Sequence, residues 1–154
     1  MTYDRTKALK YARTYWNRVA DDNYVCISGK QPYRKVDSRT TFVYESVDNN
    51  GQEYAKVPQS AGEFKIIDWD DLNDCAHFLS CCLKAGGISI TRDFPNGPYG
   101  KIGVEELFND LKKQKVIEVI AEMSNDSAKI QKQEAGDLIF YYSKDKGRYS
   151  HSAM

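Results

Sequence analysis

The stretch from Asp70 to Gly87 constrains this chain more than any other. It reads as one helix with a polar start and a glycine stop. Asn73 or Asp74 offers an N-cap oxygen, and Gly86-Gly87 offers a left-handed exit. Between them Phe78, Leu79, Cys82 and Leu83 recur at helical spacing, so one face is built for burial. Cys75 falls on the first turn, where unpaired backbone N–H groups favour thiolate over thiol. Asp70, Asp71 and Asp74 oppose that ionisation, so a reactive Cys75 needs a base from elsewhere in the chain. The competing reading is a core helix that begins with a small apolar side chain; Cys81 and Cys82 read as buried in either case.

The chain has two histidines. His77 lies two residues beyond Cys75 and points to another side of the helix, which reads as a half-buried or surface position. His151 follows a strand-like run, in Gly147-Arg148-Tyr149-Ser150-His151. A cysteine opening a helix and a histidine on a later strand is the arrangement of papain-like thiol hydrolases. There the imidazole takes the thiol proton and returns it to the leaving amine.

These residues carry a resemblance. Asp74-Cys75-Ala76-His77-Phe78-Leu79-Ser80-Cys81-Cys82-Leu83-Lys84-Ala85-Gly86-Gly87 resembles the signature Asp-Cys-Thr-Asn-Phe-(Val/Ile)-Ser-Gln-Cys-Leu-x-Ala-Gly-Gly of the putative amidase domains related to NlpC-type cell-wall peptidases. The opening Tyr3-Asp4-Arg5 with Tyr11-Ala12 is similar to that family's first helix. Ala135-Gly136-Asp137-Leu138-Ile139-Phe140-Tyr141 and Ser150-His151-Ser152-Ala153-Met154 resemble its last two strand segments. His77 and Cys81 depart from the pattern, standing where Asn and Gln are usual. The resemblance implies a papain-like, NlpC-type α+β fold, with Cys75 as nucleophile and His151 as base. It also implies more sheet beyond the histidine strand, so C-terminal strands are expected to be missing after Met154.

Composition narrows the partners. At 154 residues the chain suits one domain, 1–154, able to bury a continuous core. Lys+Arg and Asp+Glu each number 22, so no net charge draws the protein to nucleic acid or an anionic membrane. Cysteines at 26, 75, 81 and 82 lack the spacing of a disulfide framework or of a paired C-x-x-C zinc site. A metal role for Cys75, His77 and Cys82 is a minor alternative, and neither metal nor cofactor is expected. No run reaches membrane-spanning length, and the charged start is no secretory signal. A protein made in the cytoplasm and acting on the periplasmic or cell-wall side would then travel by a non-classical route.

Along the chain, residues 3–20 read as an amphipathic helix with Leu9, Ala12, Trp16 and Val19 on its apolar stripe. Tyr24–Ile27 reads as a strand. Asn50-Gly51, between two alternating runs, predicts a hairpin because both residues tolerate positive φ. Residues 24–67, including a short strand at Phe64–Ile67, form a β-rich elaboration of the domain. A Pro/Gly loop at 93–100 could line a cleft. Helix 104–111, a strand at 116–121 and a final hairpin of 138–142 with the His151 strand complete an α+β layout, with helices against antiparallel sheet.

The reading that follows is a thiol amidase or peptidase, with peptidoglycan peptides as the substrate class the resemblance implies. The Cys75 backbone N–H would be the first oxyanion donor, with Asn73 or Tyr24 as a second and Asp74 as a cap. Such an enzyme would fit an antibacterial effector, a toxin opposed by an immunity or inhibitor protein. The alternatives are a protease, deamidase or acyltransferase acting on a protein through the same pair, and a catalytically silent binding domain of the same fold.

Overall fold

In a computed structural model, the described residues are 2–27, 33–35, 41–49, 52–56, 74–118 and 133–154. They form a mixed α+β arrangement in the order α1 (Arg5–Tyr15), β1 (Tyr24–Ile27), β2 (Tyr33–Lys35), β3 (Thr41–Asn49), β4 (Gln52–Lys56), α2 (Cys75–Ala85), α3 (Val104–Lys113), β5 (Ile139–Ser143) and β6 (Arg148–Ala153).

α2 is the centre of the core, with Ala76, Leu79, Cys82 and Leu83 buried together with Leu107 and Leu111 of α3. Fully burying a Leu contributes on the order of 2 kcal/mol each, so these side chains fix α2 against α3. Val104, Leu107 and Leu111 of α3 share the buried side, as the i, i+3, i+7 spacing requires. α2 ends as expected: the Gly86 N–H donates to the Cys82 carbonyl, and Gly87 takes φ +89°.

α1 is shorter than its sequence pattern. Asp4 caps it by accepting from the Lys7 N–H at 3.0 Å, and the helix stops at Tyr15. Ala8 is buried, and Tyr11 and Ala12 pack on the core, but Trp16 is 67% exposed. Val19 is buried from the segment after the helix instead. The stripe therefore breaks where the chain turns toward β1.

The hairpin anticipated across Asn50-Gly51 forms, with Asn49 of β3 opposite Gln52 of β4. β1 joins β4 and β2 joins β3, giving an antiparallel sheet in the order β1-β4-β3-β2. The described strands between residues 24 and 56 thus form one sheet, with β1 and β2 at its edges. β5 and β6 make a separate antiparallel hairpin, packed against α2 and α3. A register shift between Tyr141 and Tyr142 leaves Ser150 as an extra residue in β6. Phe108, Phe140 and Tyr149 meet at 4.4 to 6.2 Å between ring centroids and weld this hairpin to α3. Residues 116–118 carry no strand, contrary to the sequence pattern there. The strand expected at Phe64–Ile67 lies outside the described residues, as does the remainder of 116–121.

Candidate active site

Cys75 is the first residue of α2, half-buried, and in contact with the core. Cys26, Cys81 and Cys82 are all buried. Burial pushes the Cys26 and Cys81 thiols upward, against the pull of His77, and lifts Cys82 to about 12. Cys75 is the one of the four cysteines that is not buried.

His151 lies on β6 opposite Tyr141, with the two rings 5.5 Å apart. Its neighbour Ser152 is buried, opposite Phe140, while His151 and Tyr141 are exposed. The pleat therefore turns Ser152 inward and the imidazole outward. Among the described residues neither the Cys75 sulfur nor the His151 ring has a hydrogen-bond partner. Ser152 Oγ is likewise buried without one.

The second histidine departs from the sequence reading. His77 is completely buried, not half-buried or on the surface. Its Nδ1 lies 2.8 Å from Asp74 Oδ1 and its Nε2 lies 3.0 Å from Asp22 Oδ2. A neutral imidazole can donate from one nitrogen only, so a ring that faces a carboxylate on both sides is served best with both nitrogens protonated. Burial, the strongest influence on this ring, works against its charge. The Cys81 sulfur and the Asp74 and Asp22 groups outweigh it and hold the imidazole well above its ordinary value. Asp22 also suffers from burial, but the His77 contact and two backbone N–H groups hold its carboxyl below the usual range.

Both carboxylates reach beyond the ring. Asp22 accepts from the backbone N–H of Tyr24 at 3.1 Å and of Tyr99 at 2.8 Å. Asp74 Oδ1 accepts from the Cys26 N–H at 2.6 Å. One buried ring thus ties the α1–β1 connection, β1 and the 93–100 loop to the start of α2. That loop is pinned rather than loose: Asp93 holds Lys101 Nζ at 2.8 Å and the Ile102 N–H at 3.1 Å. Tyr99 Oη also accepts from the Ile90 N–H at 3.0 Å.

Asp74 stands at the N-cap position but makes no side-chain bond to the backbone of its own helix. Its carboxylate is spent on His77 and Cys26, which leaves the first N–H groups of α2 uncapped by it. Tyr24 directs its hydroxyl to the Asn96 carbonyl at 2.8 Å, so that O–H is already engaged. Asn73 lies outside the described residues. The signal for His77 was present in the sequence: Asp74, His77 and Cys81 fall at i, i+3 and i+7, on one face of α2. Its other partner, Asp22, lies 55 residues earlier and has no local signature.

Compared with family models, residues 2–154 match the one described as "Putative amidase domain". No curated protein and no solved structure matches the chain.

Proposed function

Because the chain belongs to the putative amidase domain family, we propose that it hydrolyses amide bonds through Cys75 as nucleophile and His151 as base, on an NlpC-type, papain-like framework. The observation that carries this reading is the placement of Cys75. It is the one cysteine of the four that is not buried, and it stands at a helix start whose adjacent carboxylate is turned toward His77. The N–H groups there, which the Asp74 side chain does not cap, suit both a thiolate and the oxyanion that forms when sulfur adds to a carbonyl.

In this mechanism the Cys75 proton passes to His151 as Sγ attacks the carbonyl carbon. The tetrahedral oxyanion takes the Cys75 N–H. As the C–N bond breaks, the imidazolium returns the proton to the departing amine, and water then cleaves the thioester with His151 as base. The step requires the ring to leave Tyr141 and come within hydrogen-bond reach of Sγ. β6 packs against α2, which keeps the strand carrying that ring beside the helix carrying the sulfur. Peptidoglycan stem peptides are the substrate class, reached on the periplasmic or cell-wall side. A protein substrate cut or deamidated by the same pair is the second reading.

The test is mass spectrometry of muropeptides digested by the wild type, Cys75→Ser and His151→Ala. New amine ends with the wild type, absent with either variant, are the expected result. An unchanged profile beside a modified protein substrate would move the activity to the second reading. Alkylation of Cys75 at the same rate in the wild type and His151→Ala would remove the histidine from the mechanism.

A further inference from the structure

The cluster around His77 is not needed for the chemistry above, and its composition goes beyond a salt bridge. Two overlapping sets of ligand-type atoms meet at this ring: Asp22, His77 and Cys81 on one side, and Cys26, Asp74 and His77 on the other. Within each set the atoms lie within 4.8 Å of one another. Cys81 Sγ is 3.5 Å from Nε2, and Asp22 Oδ2 is 3.0 Å from the same nitrogen.

A tetrahedral zinc with Zn–N and Zn–O of about 2.0 Å and Zn–S of about 2.3 Å separates its N and S ligands by roughly 3.5 Å and its N and O ligands by roughly 3.3 Å. The Nε2 side matches this spacing to within a few tenths of an ångström. The Nδ1 side supplies what a metal-bound imidazole requires, a carboxylate on its other nitrogen that fixes ring and tautomer. Asp74 does this at 2.8 Å and is itself held by the Cys26 N–H. Asp22 is held in turn by the Tyr24 and Tyr99 N–H groups. His77 and Cys81 sit one turn apart on a packed helix and are 0% and 2% exposed. These ligands are already oriented, unlike a group of acidic side chains on a surface.

We propose that Asp22 Oδ2, His77 Nε2 and Cys81 Sγ form a binding site for a borderline-soft divalent cation, zinc above all, with Asp74 orienting the imidazole. The mix of one thiolate, one imidazole and one carboxylate selects zinc or cobalt over magnesium or calcium. On binding, the cation takes the place of the proton between Nε2 and Asp22 and of the Cys81 thiol proton, so two protons leave for each ion bound. The fourth coordination position falls to water. The bound ion would lock the start of α2, two residues from Cys75, to the segment before β1. The proposal stands whether or not Cys75 is the nucleophile.

The experiment uses the full chain, stripped with EDTA, dialysed and titrated with Co²⁺ and then Zn²⁺. One cobalt per chain is expected, with a near-ultraviolet thiolate-to-cobalt charge-transfer band that zinc abolishes. The band should vanish in Cys81→Ser and persist in Cys75→Ser. Zinc should also raise the melting temperature of the wild type and not that of Cys81→Ser. A folded wild type with no band overturns the proposal. A band that survives Cys81→Ser overturns it equally, because the ion is then bound by another thiol. Cys81→Ser changes one atom at a buried position; should it nevertheless fail to fold, proton release on zinc addition to the wild type decides, with none released counting against the site.

Discussion

Replacing His77 by Ala in metal-free protein should be among the most damaging single changes in this chain. It removes a fully buried ring that donates to two carboxylates. Breaking a buried ion pair from one side costs about 3–5 kcal/mol, because the surviving charge is left unpaired. The Asp22 and Asp74 side chains are still 13% and 16% exposed, so water softens their loss and the lower end applies. A loss of about 3 kcal/mol is expected, which for a chain of this size lowers the melting temperature by about 6–12 °C.

The assay is urea denaturation of the wild type, His77→Ala, Asp22→Ala and the double variant, in EDTA. The double variant should lose less than the sum of the singles by at least about 1.5 kcal/mol, since the carboxylate no longer needs the ring. The pH dependence has a defined sign. The ring is held above its ordinary value, so its stabilisation is full below about pH 6.5 and fades as pH climbs through the folded-state value. Asp22 is held low, so its share is present above about pH 3.9 and is lost on acidification. The gap between wild type and His77→Ala should be widest near pH 5–6. Additive losses, or a gap that widens toward alkaline pH, would refute the doubly paired ring.

Three further changes probe the surroundings. Tyr99→Phe should cost about 1–3 kcal/mol in denaturant melts, because it strips the buried Ile90 N–H of its acceptor. Gly100→Ala should cost about 2 kcal/mol or more by the same measurement. Its φ is +77°, and the added carbon would stand 2.6 Å from the buried Ser80 Oγ. Asp137→Asn should lose less than about 1 kcal/mol at neutral pH, since the Arg5 partner at 2.6 Å is substantially exposed. The Asp137 carboxyl is held low by the Glu134 N–H and then by Arg5, so that difference should disappear as pH falls below about 3.9; a difference that persists in acid would mean the carboxylate is not its source.

Local chemistry made much of this fold readable. The glycine stop of α2, the apolar spacing of α3, the Asn-Gly hairpin and the closing β5–β6 hairpin all follow from short-range patterns. Misreadings arose where distant segments decide. Trp16 fits a helical stripe yet stays exposed, because the chain leaves the helix and buries Val19 in its stead. Asp74 has the chemistry of a cap for its own helix, but a buried ring and the Cys26 N–H claim its oxygen first. The angle between His77 and Cys75 on α2 carries no sign of Asp22, which reaches the ring from another segment and sets its environment. Cys75 at a helix start and His151 on a late strand follow from local patterns, and what the fold adds is that Cys75 is only half-buried and that the pleat turns His151 to the exposed face of the β5–β6 hairpin.

The far end of α2 is closed by the residues that precede α1. The Asp4 N–H donates to the Gly86 carbonyl at 2.9 Å, and the Tyr3 ring fills the space where a side chain on residue 86 would sit. Tyr3 also reaches the Gly136 carbonyl at 3.1 Å, just ahead of β5. Tyr3 thus braces the C-terminal end of α2 to the segment that leads into the hairpin bearing His151, beside the direct packing of β6 on α2. A residue far from both halves of the proposed dyad is in this way a shared brace for the helix of one and the approach to the strand of the other.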